Sequence, residues 1–127
     1  MANFATVTGK KSWVGYVMIT MAPQDLKIRF ASCIDSRKVK HISKWPEVHL
    51  ICGIKDPGQF PGSFLQIQGT AKLSTTLGER KRVWNKELKN VFDGVNDPNY
   101  GVIVVEPYHI ELATFDANGP HNLVWDR

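Results

Sequence analysis

The stretch LKIRFASCIDSRKVKHI, residues 26–42, decides how the rest of the chain is understood. Its first half sets Leu26, Ile28 and Phe30 in alternation with Lys27 and Arg29, the two-residue period of a half-buried strand. Its second half places Val39 and Ile42 three apart behind Asp35 and Ser36, which predicts a capped amphipathic helix. Ser36-Arg37-Lys38 stands where the strand gives way to the helix. A helix start presents unpaired N–H groups and a partial positive charge. A hydroxyl, a guanidinium and an ammonium added there make a seat for a phosphate. The plainer alternative is that Ser36 only caps the helix and the cations are solvated, although cations in a first turn oppose the helix dipole unless an anion is present.

Before this stretch, residues 4–7 predict a first strand, and Gly9-Lys10-Lys11 a turn. Residues 13–21 (WVGYVMITM) predict a strong second strand, rich in aromatic and β-branched side chains. Their unbroken apolarity predicts cover on both faces. Residues 22–25 then make a tight hairpin, with Pro23 at its first corner. After the helix, Trp45-Pro46 stops it, because proline disfavours α geometry in the preceding residue. Residues 47–55 form the next strand, 56–62 (DPGQFPG) a loop, and 63–73 a strand that alternates cleanly. In that strand Leu65, Ile67, Ala71 and Leu73 share one face, while Gln66, Gln68, Thr70 and Lys72 share the other. Gly69 in the middle predicts a bulge or a close backbone approach.

From residue 76 to 92 the period becomes helical, with Leu77, Trp84, Leu88 and Val91 on one stripe and Glu79, Arg80, Lys81 and Lys89 on a solvated face. Gly94 ends that helix and Asp97-Pro98-Asn99 turns the chain into a buried strand, residues 100–106. Pro107 separates this strand from another at 108–115. Leu123, Val124 and Trp125 make the tail one that docks. Six or seven short strands at hairpin spacing, with two or so helices, predict a mainly β, antiparallel, Greek-key-like barrel with the helices outside it. Its 127 residues make a single domain.

A net charge of +4 suits an anionic ligand. Nucleic acid is not expected, since aromatic and basic residues are not interleaved along one strand. Cys33 and Cys52 have neither C-x-x-C spacing nor a His-rich partner segment, so two reduced thiols and no zinc are expected. His41, His49, His109 and His121 are scattered without ligand spacing, and no metal site is expected. Trp13, Trp45, Trp84 and Trp125 are expected as core or interface anchors. No basic segment followed by an apolar run opens the chain, and no apolar stretch has the length of a membrane span, so a cytoplasmic protein is expected. No G-x-S-x-G, P-loop or G-x-G-x-x-G occurs, and no catalytic residue stands out.

The order of these elements resembles the FMN-binding split-barrel family of pyridoxamine 5'-phosphate oxidase-like proteins, in its short, general-stress-protein-like branch. The likeness is carried first by Phe30-Ala31-Ser32-Cys33-Ile34-Asp35-Ser36-Arg37-Lys38. Residues 39–50 (VKHISKWPEVHL) and 65–73 (LQIQGTAKL) follow the family's helix, proline step and glycine-centred strand. Residues 83–107 add a Trp, a Phe-x-Gly and an Asp-Pro, so that the resemblance runs over residues 14–115 or so. It implies a split barrel that forms a homodimer, with one flavin mononucleotide in each of two clefts at the subunit interface. By the same resemblance Arg37 and Lys38 grip the phosphate, and Ser36 or Ser32 donates hydroxyl bonds to it. Tyr16, Val17, Met18 and Ile19 run beside the isoalloxazine ring, and Gln66 reaches its polar edge. The oxidase itself carries an arginine about where Tyr16 stands, and its C-terminal substrate-binding segment has no counterpart here. The resemblance thus implies an FMN-dependent oxidoreductase acting on a small substrate, with NAD(P)H or a related donor, rather than a pyridoxamine phosphate oxidase. The alternatives are a flavin-binding electron carrier or stress sensor, and the same barrel holding the deazaflavin F420 or haem.

Overall fold

The computed structural model of the chain describes residues 1–22, 24–53, 62–116 and 118–127. Its strands are β1 (Ala2–Thr8), β2 (Lys11–Val17), β3 (Thr20–Met21), β4 (Ile28–Cys33), β5 (Glu47–Gly53), β6 (Phe64–Ser74), β7 (Tyr100–Asp116) and β8 (Gly119–Asp126). Helix α1 (Arg37–Lys44) follows β4, and α2 (Leu77–Val83) follows β6, with a 3-10 helix at Lys86–Asn90. The expected corner at Pro23, the end of the strand at 54–55 and the loop at 56–61 lie outside the described residues.

Every strand pairing is antiparallel, in the order β2-β1-β5-β6-β7-β4-β3, with β8 also on β7. The mainly β barrel with flanking helices is therefore borne out, built from eight strands among the described residues. The two ends of this path, β2 and β3, are neighbours in the chain, joined through Met18 and Ile19. Residues 13–21 are accordingly not one strand: the chain leaves one edge of the sheet at Val17 and joins the opposite edge at Thr20. Nor are both faces covered. As an edge strand, β2 exposes all its residues from Lys11 to Tyr16 in the single chain.

The barrel interior holds Phe4, Ile28, Phe30, Leu50, Ile67, Ile103 and Val105, with Val39 and Ile42 of α1 plugging it. Phe4 and Phe30 meet edge to face at 4.9 Å between ring centroids. A second cluster, Val83, Phe92, Tyr100, Val102 and Val104, lies between β7 and the segment carrying α2. The first half of β7 thus feeds two cores, one from each face, which accounts for its near-continuous apolarity.

Several expectations are corrected. The helical stripe over 76–92 breaks at Trp84, whose ψ of 133° is not helical, and Asn85 caps the 3-10 helix through Glu87 N–H. Leu77 and Val91 are left exposed. Pro107 does not divide two strands: β7 runs through it, because Pro107 faces Gly69 at a register shift where no ladder N–H is required. A Cβ on Gly69 would lie 2.6 Å from the Glu106 carbonyl oxygen, so the bulge expected there is also a close approach. Leu26 sits before the strand at a φ of 56° and is exposed. Arg29, expected on a solvated face, is 3% exposed. Its Nε donates to Glu79 Oε2 at 2.6 Å, and its terminal nitrogens donate to both oxygens of Asp25 at 3.2 and 2.6 Å. β4 is covered on this side by α2, so a cation there needs two carboxylates to be tolerated. The Arg29 guanidinium in turn holds the Asp25 carboxyl well below the usual carboxylate range. Trp13 and Trp125 are exposed rather than core. The tail does dock, as β8 against the second half of β7.

Candidate functional site

Ser36 is the N-cap of α1: it has extended backbone angles and its hydroxyl accepts from Val39 N–H at 3.4 Å. Its Oγ lies 2.9 Å from Ser32 Oγ, and Ser32 donates to the Cys33 carbonyl at 3.0 Å. A hydroxyl has one proton, so with that of Ser32 on Cys33 the Ser36 proton points to Ser32. Both serines are engaged within the turn that launches the helix.

Directly after this cap, Arg37 and Lys38 face a cleft of about 120 Å³ whose other walls are Phe4, Thr6, Trp13, Gly15, Tyr16 and Val17. The structure thereby brings together Arg37 and Lys38 with Tyr16 and Val17, residues 20 or so apart in sequence. The reason is topological, since β1 and β2 form a hairpin beside the start of α1, with Thr6 opposite Trp13 and Phe4 opposite Gly15. The Arg37 guanidinium lies over the Trp13 ring at 4.0 Å from its centroid, a cation–π contact that steers a long side chain across the cleft mouth. A Cβ on Gly15 would meet nothing within 4 Å, so that wall is open.

Other expected site residues lie elsewhere in the single chain. Gln66 lines a cleft of about 200 Å³ with Asn3, Ala5, Val14, His49, Leu50 and Ile51, on the opposite face of β1. Met18 lines a third, of about 260 Å³, with Thr20, Ala31, Val83, Asn85, Glu87, Leu88 and Val91. Ile19 packs against the barrel core. Ser32 is buried behind the cap.

Three residues absent from the sequence-based site stand in or beside this cleft. Trp13 holds Arg37. Thr6 is 1% exposed and lines the cleft. His41, one turn beyond Arg37 on α1, places Nδ1 2.8 Å from Thr6 Oγ1. One signal was available: Ala2, Phe4 and Thr6 share the core face of β1, and the last is polar. Among the described residues no group of three or more His, Cys, Asp or Glu gathers as a metal site. Among the same residues no helix is long and apolar enough to cross a membrane.

No protein-family model matches the chain. It is 27% identical over 123 residues to general stress protein 26 of Bacillus subtilis, covering 97% of this chain and 86% of that protein. The crystal structure of general stress protein 26 from Bacillus anthracis superposes with a TM-score of 0.79 at 23% identity, over 98% of this chain and 88% of that one. A pyridoxamine 5'-phosphate oxidase-related, FMN-binding protein from Nostoc punctiforme gives 0.79 at 12% identity, over 99% and 80%. A haem-binding protein from Mycobacterium smegmatis gives 0.75 at 10% identity, over 96% of this chain and 51% of that one. The split-barrel fold and the family resemblance read from the sequence are borne out.

Proposed function

We propose that this chain, a split barrel of the pyridoxamine 5'-phosphate oxidase-like kind, holds flavin mononucleotide in the cleft between α1 and β2 and serves in redox chemistry on a small substrate. The observation that carries this is the pairing of Arg37 and Lys38, at a capped helix start, with the open wall of β2. Two cations beside backbone N–H groups suit a phosphate close to dianionic at neutral pH. Gly15, Tyr16 and Val17 leave an open, largely apolar wall for a flat ring. When bound, FMN supplies the hydride or electron transfer. The chain binds its phosphate, orients the ring and excludes water.

The cleft's 120 Å³ in one chain falls below the roughly 300 Å³ at which small-molecule sites begin. Its open side is β2, where Trp13 is 51%, Val14 61% and Tyr16 78% exposed, continued by Met18 at 57%. An apolar patch of this kind marks an interaction surface. A second copy laid against it supplies the missing wall, giving a homodimer with flavin at the interface. Gln66, on the other face of its own sheet, reaches a flavin only across that interface. Cys33 and Cys52 are both free thiols, in keeping with a reducing cytoplasm.

The likeness to a haem-binding protein favours one second reading, haem in the same cleft. Among its described lining residues there is no His, Cys or Met, and Tyr16 is the one candidate axial ligand. That favours the flavin. The test is an absorption spectrum of the purified protein, titration with FMN and then haemin, and light scattering. Flavin bands at close to one per chain in a dimer are expected, with bleaching under anaerobic NADH or NADPH if the protein turns over. A bound flavin that neither nucleotide reduces would indicate a carrier or sensor. A protein that ignores FMN would overturn the proposal, and a haem spectrum would replace it.

A further inference from the structure

Phosphate binding in this cleft wants hydroxyl donors, yet the protons of Ser32 and Ser36 are spent inside the helix cap. Besides the solvent-exposed phenol of Tyr16, Thr6 is the hydroxyl on the described lining, and its proton is contested by His41 at 2.8 Å. We propose that Thr6 and His41 form a proton-gated donor pair for the FMN phosphate, His41 acting as a positioning residue through Thr6. This deepens the flavin assignment above and rests on it.

The chemistry follows from counting protons. When Nδ1 of a neutral His41 carries a lone pair, Thr6 donates to it and turns only lone pairs to the cleft. When His41 is cationic, Nδ1–H must donate to Thr6 Oγ1, and the hydroxyl proton is released toward a phosphate oxygen. With the neutral ring holding its proton on Nε2, phosphate and proton therefore bind cooperatively. The coupling is reciprocal, so FMN favours the imidazolium as much as the imidazolium favours FMN.

The charged groups around the pair are few. From α1 they are all cations: Arg37 and Lys38 one turn before His41, Lys40 next to it and Lys44 one turn after. β1 has no ionisable side chain. β2 turns Tyr16 to the cleft, and its Lys11 lies opposite Thr8 at the hairpin end. β6, which also packs on α1, has Lys72 as its one ionisable group, on the exposed face away from the core. No carboxylate among these competes for the imidazolium, so a bound phosphate is the anion that stabilises it.

The experiment measures FMN affinity of wild type, His41→Gln, Thr6→Ser and Thr6→Val across about pH 5 to 8, the range in which histidine changes charge. FMN's own phosphate titrates there too, so the wild-type to His41→Gln ratio is the readout. That ratio is expected to fall about tenfold from the acid to the alkaline end, the scale of one hydrogen bond to a charged group. Thr6→Ser should keep the profile and Thr6→Val should lose it. Riboflavin, lacking the phosphate, should show a flat ratio. If Thr6→Val does not fold, the His41 imidazole signals of the wild type decide by NMR: FMN must move their midpoint upward. A flat ratio with both proteins binding FMN, or an unmoved midpoint, overturns the donor pair and leaves the flavin site standing. Failure of every variant and the wild type to bind FMN overturns the site itself and the pair with it.

Discussion

Trp13 and Arg37 offer the sharpest quantitative test of the cleft. The guanidinium sits 4.0 Å from the Trp13 ring centroid, and such a contact at an exposed site is worth about 0.5–1 kcal/mol. Arg37 in its turn would make a charge-assisted bond to the phosphate worth about 1.5–3 kcal/mol. Trp13→Leu should thus weaken FMN about two- to fivefold, by letting Arg37 wander from the mouth of the cleft, and Arg37→Ala about tenfold or more. If the tryptophan acts through the arginine, the losses do not add. In the Arg37→Ala background Trp13→Leu should cost almost nothing, and the cycle should return a coupling of about 0.5–1 kcal/mol. Flavin fluorescence titration of the four proteins measures it, and repetition at high salt should shrink the Arg37 effect. Fully additive losses would refute the steering role, and an unchanged affinity in Arg37→Ala would remove the phosphate from this cleft.

Two further outcomes test the scaffold. Gly69→Ala should destabilise the fold by about 1–3 kcal/mol in a thermal melt, because its Cβ would press on backbone at 2.6 Å. Gly94→Ala, where a Cβ meets nothing within 4 Å, is the near-neutral control, and equal melting of the two would discard the close-approach account. The hydrogen bond to Asp126 on β8 raises the pKa of His109 above its ordinary 6.5. A raised folded-state value means that the pairing contributes fully below about 6.5 and is lost as pH climbs through the raised value. Exchange of β8 amides, corrected for intrinsic rate, should therefore accelerate above that pH in wild type and not in His109→Gln. Matching profiles would show that the His109–Asp126 contact does not hold the strand.

What could be seen in the sequence was what depends on neighbours along the chain. Val39 and Ile42 three apart behind Ser36 do bury one face of a capped helix, and the alternation of Leu65, Ile67 and Ala71 does face the core. Pattern failed where another element decides a residue's surroundings. Arg29 alternates like a surface cation, but α2 lies over it and supplies Glu79, 50 residues later. Val14 and Tyr16 are as apolar as any core strand, yet no element among the described residues covers them. Pro107 has the look of a strand breaker, and only the bulge at Gly69 on β6 lets β7 run on.

The same division explains the site. Ser36-Arg37-Lys38 was legible because cap and cations are contiguous, and the helix start they make is local. Thr6, Trp13 and His41 were not, since each acquires its role from a hairpin brought against α1: Trp13 under Arg37, and Thr6 against His41 at a separation of 35 residues. This ordering has a consequence for how specificity is built. A local cation pair at a helix start accepts any anion of suitable charge. Selection among phosphates, and any dependence on pH, must therefore come from the long-range part. In this chain that part is β1 and β2, the hairpin whose outer strand is also the exposed apolar edge. In the proposed reading, binding of the anion and covering of that edge act on one element, so conditions that loosen the hairpin should weaken the cleft and the proposed interface together.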